Sequence, residues 1–112
     1  MNETMIPDLA EVGYYEQLVL YFLEKLHSSG KRFVNLQTIV TGTGLNYNSL
    51  RNKIDALVSL ELAFSTKRGR ERVVLITDKG KHAIDEWKKT SIGKELFDEL
   101  DKKLATLEKD HK

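Results

Sequence analysis

At Leu62 the spacing of apolar residues along the chain changes. Before it they recur three and four apart, the period of a helix. Then two runs rich in β-formers, Leu62-Ala63-Phe64-Ser65-Thr66 and Arg72-Val73-Val74-Leu75-Ile76-Thr77, flank Lys67-Arg68-Gly69-Arg70-Glu71. That pattern predicts a hairpin with a basic, glycine-bearing tip. Helical spacing resumes after Thr77. A chain of 112 residues has room for one core and not for two, so the hairpin and the helices on either side of it share that core.

Upstream, Asp8 as N-cap, or Pro7 in the first turn, predicts a helix over about 8–28. Val12, Tyr15, Val19, Phe22 and Leu26 form one apolar stripe on it; Tyr14, Leu18 and Tyr21 form a second. So wide an apolar face predicts burial within the domain on one side and against a partner on the other. Phe33-Val34 is a short edge strand. Asn35 then caps a helix carrying Leu36, Ile39 and Val40 inward, which stops at the glycines of Thr41-Gly42-Thr43-Gly44. Asn46 caps the next helix, about Tyr47 to Leu60, with Leu50, Ile54 and Leu57 on its inner side. Two short helices joined by a glycine-containing turn make a helix-turn-helix. Beyond the hairpin, Thr77 or Asp78 caps a helix with Ala83, Ile84 and Trp87 inward, and Ser91 caps a last helix to about Lys109. There Phe97, Leu100, Leu104 and Leu107 repeat at the seam spacing of a coiled coil, with Ile92 and Leu96 extending the surface. The expected architecture is α+β, mostly α: a flexible tail over 1–7, a winged helix-turn-helix domain over 8–90 and a C-terminal dimerisation helix over 91–112. Phe97, Leu100, Leu104 and Leu107 are its expected dimer interface.

Composition narrows the chemistry. The chain has no cysteine, so it has no disulfide, thiolate metal site or cysteine nucleophile. No stretch approaches the ~18 apolar residues of a membrane span. Met1–Pro7 has neither the basic nor the apolar region of a secretory signal, so a cytoplasmic protein is expected. Net charge is only +1, but residues 1–30 carry −4 and residues 31–72 carry +5, and all five arginines lie in the second block. Arginine suits bidentate contacts to phosphate and guanine.

The order helix, short strand, helix, helix, hairpin is that of a winged helix. The segment Leu45-Asn46-Tyr47-Asn48-Ser49-Leu50-Arg51-Asn52-Lys53-Ile54-Asp55-Ala56-Leu57 resembles the recognition-helix region of the MarR (multiple antibiotic resistance regulator) and PadR-like families. Val74-Leu75-Ile76-Thr77-Asp78-Lys79-Gly80 resembles their strand-to-helix junction, a Leu-Thr-x-x-Gly pattern. The likeness covers about residues 10–90, and the long last helix is similar to that of PadR-like and small archaeal winged-helix dimers. Those families carry glycine between recognition helix and wing where this chain has Glu61, so the left-handed turn that glycine favours lacks its usual residue. The wing is also shorter than in MarR proteins, and no ligand-pocket motif carries over.

On the helix over 47–60, Asn48, Asn52 and Asp55 fall opposite the apolar stripe, flanked by Ser49 and Arg51. Asparagine can bond adenine bidentately, Arg51 can take guanine or phosphate, and Tyr47 can reach a phosphate or a thymine methyl. Lys67, Arg68, Arg70 and Arg72 surround Gly69; alternation sends the three arginines to one side and Lys67 to the other. Such a tip can straddle phosphates or enter a narrow minor groove. Lys31 and Arg32 are candidates for further backbone contacts.

Catalysis finds no support: His27, His82 and His111 are far apart, and no Gly-Lys-Ser/Thr follows Gly42-Thr43-Gly44. No cofactor or metal is expected. The sequence therefore points to a homodimeric, sequence-specific regulator binding double-stranded DNA, with its effector unknown. The competing readings are a winged-helix protein–protein interaction subunit of a transcription or replication assembly, and a non-specific chromosomal protein.

Overall fold

The structure, a computed structural model, describes residues 6–110, with side chains through Leu107. Its elements are α1 (Tyr14–Ser28), β1 (Val34–Asn35), α2 (Leu36–Thr43), α3 (Tyr47–Ser59), β2 (Ala63–Arg68), β3 (Glu71–Ile76), α4 (Asp78–Lys88) and α5 (Ser91–Asp110). The strands form one antiparallel sheet in the order β1-β3-β2. This is the expected α+β winged helix, with the long C-terminal helix present.

α1 begins six residues later than the sequence predicts. Leu9–Glu11 is a single 3₁₀ turn, Val12 is extended, and Gly13 is the N-cap. The Gln17 amide donates to the carbonyls of Leu9 (2.8 Å) and Val12 (2.5 Å), which holds this entry segment off the helix axis. Pro7, expected in a flexible tail, is pinned because the Trp87 indole N–H donates to its carbonyl at 3.0 Å. Residues 1–5 of that tail lie outside the described residues.

Leu18, Val19, Leu20, Tyr21 and Leu23 of α1 are all buried, so this helix is enclosed almost all round. It touches α2, α3, α4, α5 and β3. The wide apolar face, expected to meet a partner on one side, is thus covered by the chain's own elements, except for the exposed Tyr14 and Tyr15.

The same correction applies to the C-terminal seam. Phe97 (3% exposed), Leu100 (0%) and Leu104 (7%) are buried within the single chain, and Leu107 is half-buried beside Gly44. Phe97 meets the Tyr21 ring edge-on at 4.9 Å and stacks with Trp87 at 6.5 Å. The corner between α4 and α5 makes this possible. Thr90, one residue before the expected cap Ser91, accepts the Gly93 N–H on its hydroxyl at 3.0 Å. A Cβ at Gly93 would run into the Trp87 carbonyl, so glycine lets α5 fold back over α1. The stripe expected to be left wet is therefore dry without a second copy.

The caps of α2, α3 and α4 are those expected. Asn35 accepts the Thr38 N–H (2.8 Å), Asn46 that of Ser49 (2.7 Å) and Thr77 that of Gly80 (2.9 Å). Leu50, Ile54 and Leu57 are fully buried, which fixes the rotation of α3. After α3 the chain makes the left-handed turn without glycine. Glu61 has φ 64°, its N–H donates to the Val58 carbonyl and that of Leu62 to Leu57, both at 2.9 Å. That is a Schellman turn. The Thr77 hydroxyl donates to the Glu61 carbonyl (2.7 Å) and Lys79 sits 3.5 Å from its carboxylate; these contacts hold a conformation that Cβ disfavours.

Two expectations test this packing. Leu100→Ala should cost about 2–5 kcal/mol in thermal or urea unfolding, independent of protein concentration. A loss that grows on dilution would return the stripe to a dimer seam. Glu61→Gly should stabilise the fold by about 1 kcal/mol by relieving the left-handed backbone. A lowered melting temperature would contradict the strain.

Candidate nucleic-acid interface

Because the buried stripe faces α1, the opposite side of α3 is presented to solvent. Tyr47, Asn48, Arg51 and Asn52 are exposed there, and Ser49 is half-buried. Asn48 and Asn52 stand one turn apart with free amides, as the wheel predicts. Lys53 leaves this face to sit 3.8 Å from Glu16.

The hairpin turns over Gly69–Arg70, with Gly69 at φ 65° and Arg68 paired to Glu71. Lys67, Arg68 and Arg70 are exposed. A groove of about 230 Å³, lined among others by Gln37, Tyr47, Arg70 and Arg72, joins the first turn of α3 to the wing tip. The two basic elements expected to meet nucleic acid thus form one continuous surface.

Two of the expected contacts are placed otherwise. Arg72 shares a face with Lys67, its cross-strand partner, and not with Arg68. Counting alternation along a single strand misses this, because the two-residue turn reverses the chain. Arg72 Nε donates to Ser65 Oγ (2.7 Å) and Nη2 to Asp55 Oδ1 (3.1 Å). Asp55 and Arg72 therefore brace the wing against α3 instead of pointing outward as a pair of free groups. Lys31 and Arg32 are exposed just before β1, with the Arg32 guanidinium 6.0 Å from the Phe33 ring. Arg68 lies over the same ring at 4.5 Å. Phe33 and Phe64 are not among the expected contacts, although Phe33 beside Arg32 next to an edge strand is a signal visible in the residues.

A separate cavity of about 710 Å³ opens between α1, α2 and α5. Phe22, Leu26 and Leu104 form its apolar wall, Thr38 and Thr41 lie on the α2 side, and Lys25 and Asp101 on its rim. Gly42 contributes by its lack of a side chain, since a Cβ there would collide with the Phe22 ring. Asp101 accepts from Tyr21 Oη (2.9 Å) and Lys25 Nζ (3.0 Å). Burial raises the Asp101 pKa, but these two hydrogen bonds and the positive charges of Lys25 and Lys88 outweigh it and hold the carboxyl below its ordinary 3.8. Burial, and then the bond to Asp101, push the Tyr21 hydroxyl upward, so it remains a donor. No group of three or more metal-ligating side chains occurs among the described residues, and no helix is long and apolar enough to cross a membrane. His111 lies outside the described residues.

No protein-family model matches the chain, and no curated protein matches it. Among solved structures it is similar to BpsR of Bordetella bronchiseptica, whose DNA binding is regulated by 6-hydroxynicotinic acid. The TM-score is 0.65 at 16% identity, covering 81% of this chain and 62% of that one. At that identity the likeness is one of fold, and this chain spans less than two thirds of the BpsR chain.

A carboxylate whose pKa is lowered by folding contributes stability above its unfolded value, and that contribution is lost as pH falls through the folded value. Asp101→Asn should therefore melt below the wild type at pH 7, with the gap closing as pH falls below the ordinary carboxyl value of 3.8. A gap that does not change with pH would show that the Asp101 charge is not what ties α5 to α1.

Proposed function

We propose that this chain is a regulator of transcription that binds double-stranded DNA sequence-specifically. α3 enters the major groove, and the wing grips the flanking backbone or minor groove. The observation that carries the reading is the exposed row Tyr47, Asn48, Arg51 and Asn52, backed by fully buried residues and joined by one groove to the basic wing tip. Asn48 and Asn52 are the base readers, Tyr47 and Arg51 hold phosphates or guanine, and Lys67, Arg68 and Arg70 neutralise phosphates. The fold likeness to a regulator whose DNA binding responds to a small molecule supports the same class. In this reading the protein works in the cytoplasm, and the cavity between α1, α2 and α5 gives it a place for a small aromatic effector.

A homodimer on a pseudo-palindromic site belongs to the proposal. Since Phe97, Leu100 and Leu104 are consumed by the chain's own core, the two-fold contact is assigned to apolar residues left outside on the same two helices. These are Tyr14 and Tyr15 of α1 and Ile92 of α5, the last 74% exposed.

The test compares a selected site with a scrambled duplex at one salt concentration. Asn52→Ala should cost about 1–3 kcal/mol on the selected site and much less on the scrambled one. The double change Arg68→Ala, Arg70→Ala should weaken both and flatten the salt slope by about one to two units. Equal losses for Asn52→Ala on both duplexes would favour a non-specific chromosomal protein. Unchanged affinity in every variant would favour a protein-interaction module.

A further inference from the structure

The sheet has a second face, turned away from α3, of which the duplex reading uses only Arg68, at the wing tip. Cross-strand partners share a face, so Phe64 lies level with Leu75 and Thr66 with Val73. Val34 pairs with Val74, which puts Phe33, one residue earlier, in line with Leu75 from the other side. Leu75 and Phe64 are thus neighbours on this face, and Phe33, the residue before β1, flanks them at the β1 edge. Phe64 is 51% exposed and Phe33 38%. Beneath them Val73 is buried but stands outside the main core, so it marks the floor of a small separate apolar layer.

Two exposed phenylalanines on one face, outside the main core, form an apolar patch that the fold itself does not cover. Its charge says which partner suits it. Arg68 lies over the Phe33 ring at 4.5 Å and Arg32 at 6.0 Å, with Lys31 next in sequence. Glu71, the acid on this face, is engaged by the Asn35 side-chain amide at 3.3 Å. Flat rings interleaved with guanidinium groups suit a polyanion that also carries flat rings. Paired bases cannot offer their π-faces, and phenylalanine has no polar atom to read base-pair edges with. Unpaired bases offer those faces, and stacking on them is tolerant of sequence. β1 and β2, which the two residues flank and occupy, lie two strand spacings apart, about 10 Å, within the span of neighbouring nucleotides on a stretched strand. The face also runs into the wing tip, so a strand leaving a duplex held by α3 reaches it directly.

We propose that the outer face of the sheet, Phe33 and Phe64 with Arg32 and Arg68, is a stacking platform for single-stranded DNA. The bases lie on the two rings and the phosphates follow the arginines. The platform shares Arg68 with the wing tip of the duplex reading, but its two rings are no part of the α3 surface, and the ring variants separate the two.

The experiment is fluorescence anisotropy with a labelled deoxythymidine oligomer of about twelve nucleotides, beside a labelled duplex, on the full chain. Phe64→Leu keeps an apolar side chain and removes the flat ring. It should weaken oligomer binding about tenfold and leave duplex affinity within about twofold. Phe33→Leu should act in the same direction on the oligomer, and circular dichroism checks that both variants keep the fold. The proposal is overturned if the wild type fails to bind the oligomer, or if Phe64→Leu binds it as the wild type does. It is equally overturned if Phe64→Leu loses oligomer and duplex in parallel, since the face would then belong to the duplex interface. Sedimentation decides the remaining case: self-association that Phe64→Leu abolishes would make a second copy the occupant.

Discussion

Every other element of this fold leans on the enclosure of α1. Five of its side chains between Leu18 and Leu23 are buried, on a helix whose neighbours are α2, α3, α4, α5 and β3. A helix enclosed along most of its length, with only Tyr14 and Tyr15 of its apolar residues left exposed at one end, sets the rotation of everything packed on it. α3 is one of those elements. Because Leu50, Ile54 and Leu57 must face the core, Asn48 and Asn52 have no option but the outside. The geometry of the proposed reading surface is thus a consequence of where α1 sits.

The wing depends on a second constraint, the path from α3 to β2. Glu61 takes a left-handed conformation held by the Thr77 hydroxyl and Lys79 from the start of α4, so the turn is tied to the element that follows the hairpin. Farther out, the Asp55–Arg72–Ser65 links tie β3 to α3 and to β2. An exposed ion pair of this kind contributes little to stability. Its role is angular: it fixes the wing tip relative to the first turn of α3, so the two present one groove.

Much of this was legible in the residues, and the failures are instructive. Asn35, Asn46 and Thr77 cap where they should, because a cap needs only a short acceptor before an apolar period. The rotation of α3 follows from three apolar residues at helical spacing. The partner of α5 could not be read, since a spacing of three and four is the same whether the seam meets another copy or the chain's own α1. Gly93 was the discriminating residue; its meaning depends on the Trp87 carbonyl beside it, which no local pattern reveals. The side taken by Arg72 depends on hairpin register, and the turn at Glu61 on contacts from sixteen residues downstream. The outward face of α3 was visible, while Phe33 and Phe64 needed the sheet to bring them onto one face.

The central claim is that one face, made of the exposed side of α3 and the wing tip, meets the DNA while α5 remains folded on α1. An amide-resolved NMR titration with a duplex tests it most directly, residue by residue. The expected result is that shifts concentrate at residues 47–52 and 67–70 and spare the amides of 97–104. Shifts confined to α5 and the exposed end of α1, with α3 unmoved, would contradict the account.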